Sequence, residues 1–274
     1  VRLADGSVAM SIEANKHYHD TAPWQQRVVF FHSHDGGQSW GGPTVVGYDP
    51  TGRIFNWDQR CAVTPDGRVG AFAWTYDTQT TRYLNIHRRI STDNGQSWSP
   101  PEDLGFADQA AHPAVLPDGR VVLVWVDRFG SHSIRARVAP DMAAPFDPAS
   151  EVVIYTHADA AAQGDDTGAL LAEMGLWSFG LPYAEVLPDG TVVISDKENF
   201  AVRAVSPQGT LTTWAGKQGS NGIEPIREES SATDTSVGNI AQLAVGPDGL
   251  PLVGDFNYRR VRQIAPTLPG AGQG

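Results

Sequence analysis

Four side chains of different chemistry occupy one recurrent position in this sequence. Five X-Asp-Gly triplets place their Asp at 5, 66, 118, 189 and 248, and six residues before the last four stand Arg60, His112, Tyr183 and Gln242. A packing layer would carry apolar or small residues at such a position. A guanidinium, an imidazole, a phenol and an amide instead form a set that hydrogen-bonds a polar ligand. A second set follows the same turns: Glu13, Tyr76 with Asp77, Asp127 with Arg128, Asp196 with Glu198, and Asp255. Of these, Glu13, Tyr76, Asp77, Asp127 and Arg128 are the candidates for ligand chemistry, whereas Asp196 and Asp255 fit a structural repeat. Trp57 and Trp177, at entries from loop to strand, are placed to stack on a ligand. Trp74 and Trp125, in the middle of β-type runs, are expected to pack inside. The His17-Tyr18-His19-Asp20 cluster matches no established metal-ligand spacing, so neither metal nor cofactor is expected.

These positions need a scaffold that repeats. The Asp-Gly turns are separated by 61, 52, 71 and 59 residues, and each is followed by a β-rich run: 7–12, 69–74, 121–126, 192–195 and 250–253. An Asp-Gly pair between two such runs signals a hairpin. Each unit continues through a third strand and most through a fourth, the pattern of a propeller blade. The expected fold is therefore all-β: a single β-propeller over residues 1–266, made of four-stranded antiparallel blades. Five blades are counted, with a six-bladed ring as the alternative. The first unit has only a stub of its first strand, and the fifth has no evident fourth. Residues 157–175, rich in Ala and Asp, account for the longest interval and hold one helical turn at 169–174. Residues 267–274 read as a flexible tail.

Composition narrows the partners. A net charge of −11 over 274 residues argues against a nucleic-acid or anionic-membrane surface. The single Cys61 forms no intrachain disulfide. No apolar run is long enough to span a membrane, and no signal peptide is visible, although one could have been removed ahead of Val1.

Two stretches carry a resemblance. Ser33-His34-Asp35-Gly36-Gly37-Gln38-Ser39-Trp40 and Ser91-Thr92-Asp93-Asn94-Gly95-Gln96-Ser97-Trp98 share the frame Ser-X-Asp-X-Gly-X-X-Trp, and each follows a β-type run. The frame resembles the Asp box of the sialidase (BNR-repeat) superfamily, and the likeness covers about residues 1–190. Over about 185–266 the chain resembles NHL repeats, through Asp196…Asn199-Phe200-Ala201-Val202-Arg203 and Gly209-Thr210-Leu211-Thr212-Thr213-Trp214-Ala215-Gly216. Both families build propellers.

The first resemblance implies a carbohydrate-active protein that binds or hydrolyses a glycan or glycoconjugate, in an extracellular or periplasmic setting. It implies Glu13, Asp20, Asp127 and Glu185 as catalytic carboxylates. Trp57, Arg60, Tyr76, Asp77, His112, Arg128, Trp177 and Tyr183 would then bind the sugar. Where the sialidases carry Glu-Ala-Arg this chain has Glu13-Ala14-Asn15, and the Arg-Ile-Pro position would lie upstream of Val1. A carboxylate clamp of three arginines is therefore incomplete, and true sialidase activity is not expected. The alternative is a non-catalytic scaffold, with the NHL-like blades presenting a face to a protein partner.

Overall fold

The computed structural model describes residues 1–16, 19, 21–22, 24–106, 109–127, 130–156, 182–217 and 231–265. The expected helical turn at 169–174, the tail 267–274 and the candidates Asp20, Arg128 and Trp177 lie outside them. The described chain is all-β, its single short helix a 3-10 turn at Lys197–Asn199. It forms five antiparallel blades of the β-propeller class. They fall into two compact units, Val1–Trp177 with three blades and Ser178–Gly274 with two.

In the first unit, blade 1 holds β1 (Val8–Asn15), β2 (Gln26–Ser33) and β3 (Thr44–Tyr48), with Arg2 bridging to Val8 as the stub of a further strand. Blade 2 is β4 (Ile54–Val63), β5 (Val69–Asp77), β6 (Arg82–Ser91) and β7 (Glu102–Asp103). Blade 3 is β8 (Gln109–Val115), β9 (Val121–Asp127), β10 (Ser133–Ala139) and β11 (Asp147–Thr156). In the second unit, blade 4 is β12 (Ala184–Val186), β13 (Val192–Asp196), β14 (Ala201–Val205) and β15 (Leu211–Ala215). Blade 5 is β16 (Ile240–Val245), β17 (Pro251–Asp255) and β18 (Arg260–Gln263), and has three strands, as the sequence indicates.

One turn builds every blade. At all five Asp-Gly positions the Asp side chain accepts the amide two residues on, and the glycine has φ between 80° and 90°. That backbone is open to glycine at little cost, which is why the Asp-Gly pair recurs. The second strands of blades 2, 3 and 4 then run into the interior almost without interruption (of β5 only Tyr76 escapes full burial), whereas in β1 of blade 1 only Ala9 is fully buried.

Blades 2 and 3 meet over Phe72, Trp74, Ile86, Leu123, Trp125, Met142 and Phe146, so Trp74 and Trp125 pack inside as expected. Blades 1 and 2 meet over Leu3, Val28, Phe30, Val46, Val69 and Ala71, with Trp98 against them. In the second unit Val193, Val202, Ile240, Leu243 and Val253 form a separate core between blades 4 and 5.

Polar stitches accompany the apolar contacts. The two Ser-X-Asp-X-Gly-X-X-Trp turns have the same hydrogen bonds: Asp35 accepts Ser39 N at 2.9 Å and Ser39 Oγ at 2.5 Å, and Asp93 accepts Ser97 N and Oγ at the same distances. Both lie between the third- and fourth-position strands of their blades. The second turn docks on blade 1, where Asn94 O lies 2.6 Å from His32 Nε2 and Gly95 O accepts Thr44 Oγ1 at 2.6 Å. A side chain at Gly95 would strike the Phe30 ring, and Trp98 stands edge-on to that ring at 5.3 Å. Trp40, its counterpart in blade 1, stays 39% exposed.

Arg88 ties blade 2 to blade 3. Its fully buried guanidinium donates to the carbonyls of Met142, Ala143 and Ala144 at 2.8–3.0 Å, and to Glu102. Those carbonyls belong to the turn at Pro140-Asp141, where blade 3 lacks the Ser-X-Asp frame. An arginine from the neighbouring blade satisfies them instead.

Removing Arg88 strands these buried acceptors. Arg88→Met is expected to cost about 3–5 kcal/mol in urea unfolding, whereas the exposed Arg120→Met stays within about 0.5 kcal/mol. Asp93 titrates in the folded state at about 2, below the 3.8 of an ordinary Asp, chiefly through the hydrogen bond from Ser97. A lowered carboxylate stabilises above the unfolded value and loses that contribution as pH falls through the folded one. The gap in melting temperature between wild type and Asp93→Asn should therefore narrow as pH falls from 4 toward 2.

Candidate functional site

The recurrent polar positions become a site through irregularities in the inner strands. In β4 the pairing steps from Trp57–Trp74 to Arg60–Phe72, so Asp58 and Gln59 together face Ala73. In β8 it steps from Gln109–Val126 to His112–Val124, leaving two residues opposite Trp125. In β16 it steps from Ile240–Asp255 to Gln242–Gly254. A bulge bends the strand and re-aims the side chain that follows it. Arg60, His112 and Gln242 are those side chains. Tyr183 stands at the same aligned position just ahead of β12, its backbone paired with Ser195 on both sides.

The β4 bulge is held from two directions. Asp58, at φ 48°, accepts the indole N–H of Trp74 at 2.9 Å. Glu13, at the end of β1 in the preceding blade, accepts Gln59 N at 3.0 Å. Burial raises the Glu13 pKa and the Asp58 charge adds to it, against the Gln59 amide and the Arg60 charge, which lower it. His112, on the neighbouring inner strand, is pushed down to about 3 by burial and, secondarily, by Arg60. Its imidazole is therefore neutral at physiological pH and serves as a hydrogen-bonding group. Arg60, His112, Glu13 and Asp58 thus belong to one electrostatic neighbourhood within the first unit.

Aromatic rings flank it. Trp57 lies 5.4 Å from Trp74 and 6.2 Å from Tyr76, and Tyr83 closes the group at 4.7 Å from Trp74 and 5.1 Å from Tyr76. Trp74 is buried, whereas Trp57 and Tyr76 are half-buried and present ring surface outward.

Two expected ligand carboxylates have another task. Asp77 is buried and makes a two-pronged pair with Arg53, at 2.9 and 2.5 Å, while accepting the amides of Gln79 and Thr80. The Arg53 hydrogen bond holds its pKa well below the usual range. Asp127 accepts Gly130 N, Ser131 N and Ser131 Oγ, with Arg135 3.6 Å away. Asp196 pairs with Arg203 and Asn199, and Asp255 accepts Gly238 N and Tyr258 N. All four carboxylates brace the turn after the second strand. Asp77 and Asp127 therefore do the structural work that the repeat frame suggested only for Asp196 and Asp255. The reason is geometric: a strand-end carboxylate satisfies the unpaired amides of the turn that follows.

In the second unit Glu185 lies half-buried on β12, opposite Val193, and burial raises its pKa to about 7. Tyr183 packs beside the core of that unit. Asp58 was not among the candidates read from the sequence. A charged residue within the strand Ile54–Val63, directly after a Trp, was the available sign of a bulge. Among the described residues, no group of three or more His, Cys, Asp or Glu is placed to hold a metal ion. No helix among them is long and apolar enough to cross a membrane.

No family model matches the sequence, and no curated protein matches it. Solved structures do match its fold. An α-L-arabinanase from Penicillium chrysogenum, in complex with arabinobiose, aligns at TM-score 0.59 and 13% identity over 97% of this chain and 74% of its own. An α-L-arabinofuranosidase from Fusarium graminearum aligns at 0.56 and 14%, over 90% of this chain and 66% of its own. A Hadza microbial sialidase aligns at 0.56 and 13%, over 92% and 51%. The chain spans between half and three quarters of the length of these proteins. At such identities the likeness establishes the fold alone, a β-propeller.

The Glu185 environment has a measurable consequence. A carboxyl whose folded pKa lies above its unfolded value of 4.5 binds more protons folded than unfolded between the two. Stability should therefore fall as pH rises from about 4.5 to 7. In Glu185→Gln that falling limb should be absent, as read by melting temperature across pH, and the variant should be the more stable protein above pH 7.

Proposed function

We propose that this chain is a glycan-engaging propeller and that the inner-strand face of its first unit contacts the sugar. The observation that carries the reading is the pair of bulges that set Arg60 and His112 on neighbouring inner strands in one electrostatic neighbourhood, beside Glu13. A guanidinium and a neutral imidazole suit the hydroxyl groups of a sugar, and the half-buried Trp57 and Tyr76 offer rings for its apolar face. Solved structures with this fold include arabinan-acting enzymes, a sialidase and an auxiliary nutrient binding protein from Bacteroides ovatus, the last at TM-score 0.55 and 14% identity over 96% of this chain and 57% of its own. Together they favour carbohydrate over other ligand classes. We read the two turns at Asp35 and Asp93 as Asp boxes, structural staples rather than ligand contacts, a reading supported by their matching hydrogen bonds from Ser39 and Ser97.

Binding is favoured over hydrolysis. Glycoside hydrolysis needs two carboxyl groups facing one another across the sugar, about 5–9 Å apart. Asp77 and Asp127 are engaged in turns, and Asp58 is engaged by Trp74. Glu13 is a carboxyl of the first unit with the raised pKa that a general acid requires, and Asp20 is the remaining candidate for its partner there, while Glu185 is a candidate carboxylate of the second unit by itself. One arginine and a neutral histidine favour an uncharged sugar over a sialic acid. Arg128 and Trp177 are proposed as further contacts of the first unit, and Tyr183 as a contact of the second unit's own inner-strand face. A protein-binding role for the NHL-like blades is the second reading. It is favoured by the open outer strand β18, on which Val261 is 71% exposed.

The test is a screen of neutral and acidic oligosaccharides by calorimetry, beside fluorogenic arabinofuranosides and sialosides. Neutral glycans should bind, with affinity falling at least about tenfold in Trp57→Ala and in Arg60→Met. Any turnover should vanish in Glu13→Gln. Absence of binding to every glycan, or binding indifferent to both Trp57 and Arg60, refutes the assignment.

A further inference from the structure

A second cluster of polar groups lies in the seam between blades 1 and 2, reaching the inner strand β4 at Asn56 and Gln59. Here Val28, Val46 and Gly47 from blade 1 face Asn56, Gln59, Ala71, Ala73, His87 and Arg89 from blade 2. The cleft encloses about 240 Å³ with its mouth, and its centre admits little more than one water-sized body. His87 and Arg89 are two apart on β6 and therefore project from the same face of the sheet.

Arg89 is half-buried and sparsely paired for its position. Arg88, next to it, is satisfied by three carbonyls and a carboxylate. Among the described residues Arg89 donates one hydrogen bond, to Ser99 O at 3.3 Å, and has no carboxylate within 4 Å. Five donors and a full charge are thus set in a partly dehydrated seam, against a single carbonyl. Burial lowers the pKa of Arg89, and burial together with the Arg89 charge lowers that of His87.

The nearest acid on this side is Asp103, whose carboxylate lies 3.9 Å from His87 Nε2 and is itself 56% exposed. Blade 1 leaves room for the guanidinium. A Cβ at Gly47 would lie 2.4 Å from Arg89 Cζ, and a glycine inside a strand marks such a close approach.

We infer that this cleft is a binding site for one small monovalent inorganic anion, of the size of chloride, held by the Arg89 guanidinium with the His87 ring and the Asn56 amide around it. Charge and size both select this class. With His87 neutral, Arg89 supplies a single positive charge, which one monovalent anion balances. The centre of the cleft is too small for a sugar or a phosphate group. Such an ion would join blades 1 and 2 where the seam is least apolar. It would sit behind Gln59, whose backbone amide Glu13 accepts. The inference does not depend on the glycan reading.

The experiment is chloride-35 NMR line width measured on the intact protein during a chloride titration, with nitrate as competitor. Wild type should show saturable excess broadening that nitrate reverses. Arg89→Met should lose it at least about tenfold, and Arg82→Gln, an exposed arginine on the same strand, should keep it. Gly47→Ala retains the charge but crowds the guanidinium, and should also lose the signal. It decides the matter if circular dichroism shows that Arg89→Met does not fold. Broadening that rises linearly without saturating, or that persists in Gly47→Ala, overturns the assignment.

Discussion

A four-stranded sheet has two faces, and a single blade covers neither. That constraint organises each unit of this protein. The second strands of blades 2 and 3 are buried on both sides, as Val69–Thr75 of β5 and Val121–Val126 of β9 show, so each needs apolar cover on both faces. Burying Phe72, Trp74, Leu123 and Trp125 in one seam supplies most of the driving force, because apolar area removed from water outweighs any single polar contact. Polar stitches then set how the blades are aligned. Arg88 reaches one neighbour, and the turn at Asp93 reaches the other through His32 and Thr44. Each stitch satisfies backbone groups that a blade edge would otherwise leave buried and unpaired.

The same constraint explains where the chemistry can be. With the faces of strands such as β5 and β9 buried, the inner strands can present polar side chains on a rigid frame. Bulges there do what regular pairing does not. They move Arg60 and His112 out of the alternating pattern, and in β4 the Gln59 amide at the bulge is taken up by Glu13. The Glu13 carboxyl both secures the bulge and lies within electrostatic reach of Arg60, which the bulge redirects.

Much of this was legible in the chain. The Asp-Gly turns carry their own geometry, since the carboxylate accepts an amide two residues away and the glycine takes the positive φ. Strand positions, blade count and the three-stranded last blade followed from their spacing. The recurrent positions of Arg60, His112 and Gln242 were visible as well. Asp77 and Asp127 were harder to read, because a carboxylate at a strand end looks the same whether it meets a ligand or an arginine. Arg53 lies 24 residues before its partner Asp77, and no local pattern connects them. Asp58 escaped notice because a bulge is defined by the partner strand.

By itself the sequence determined what depends on near neighbours: the turns, the strand runs, the repeated frame and the class of fold they compose. Those features rest on backbone geometry and on hydrogen bonds spanning a few residues, which residue type dictates directly. Only the tertiary structure decided which polar side chains are engaged and which face outward. Arg88 and Arg89 are adjacent in the chain, yet one meets three carbonyls from blade 3 while the other faces the cleft beside Gly47. Alternation sends them to opposite faces of one sheet, and the neighbouring blade on each face determines what they meet there.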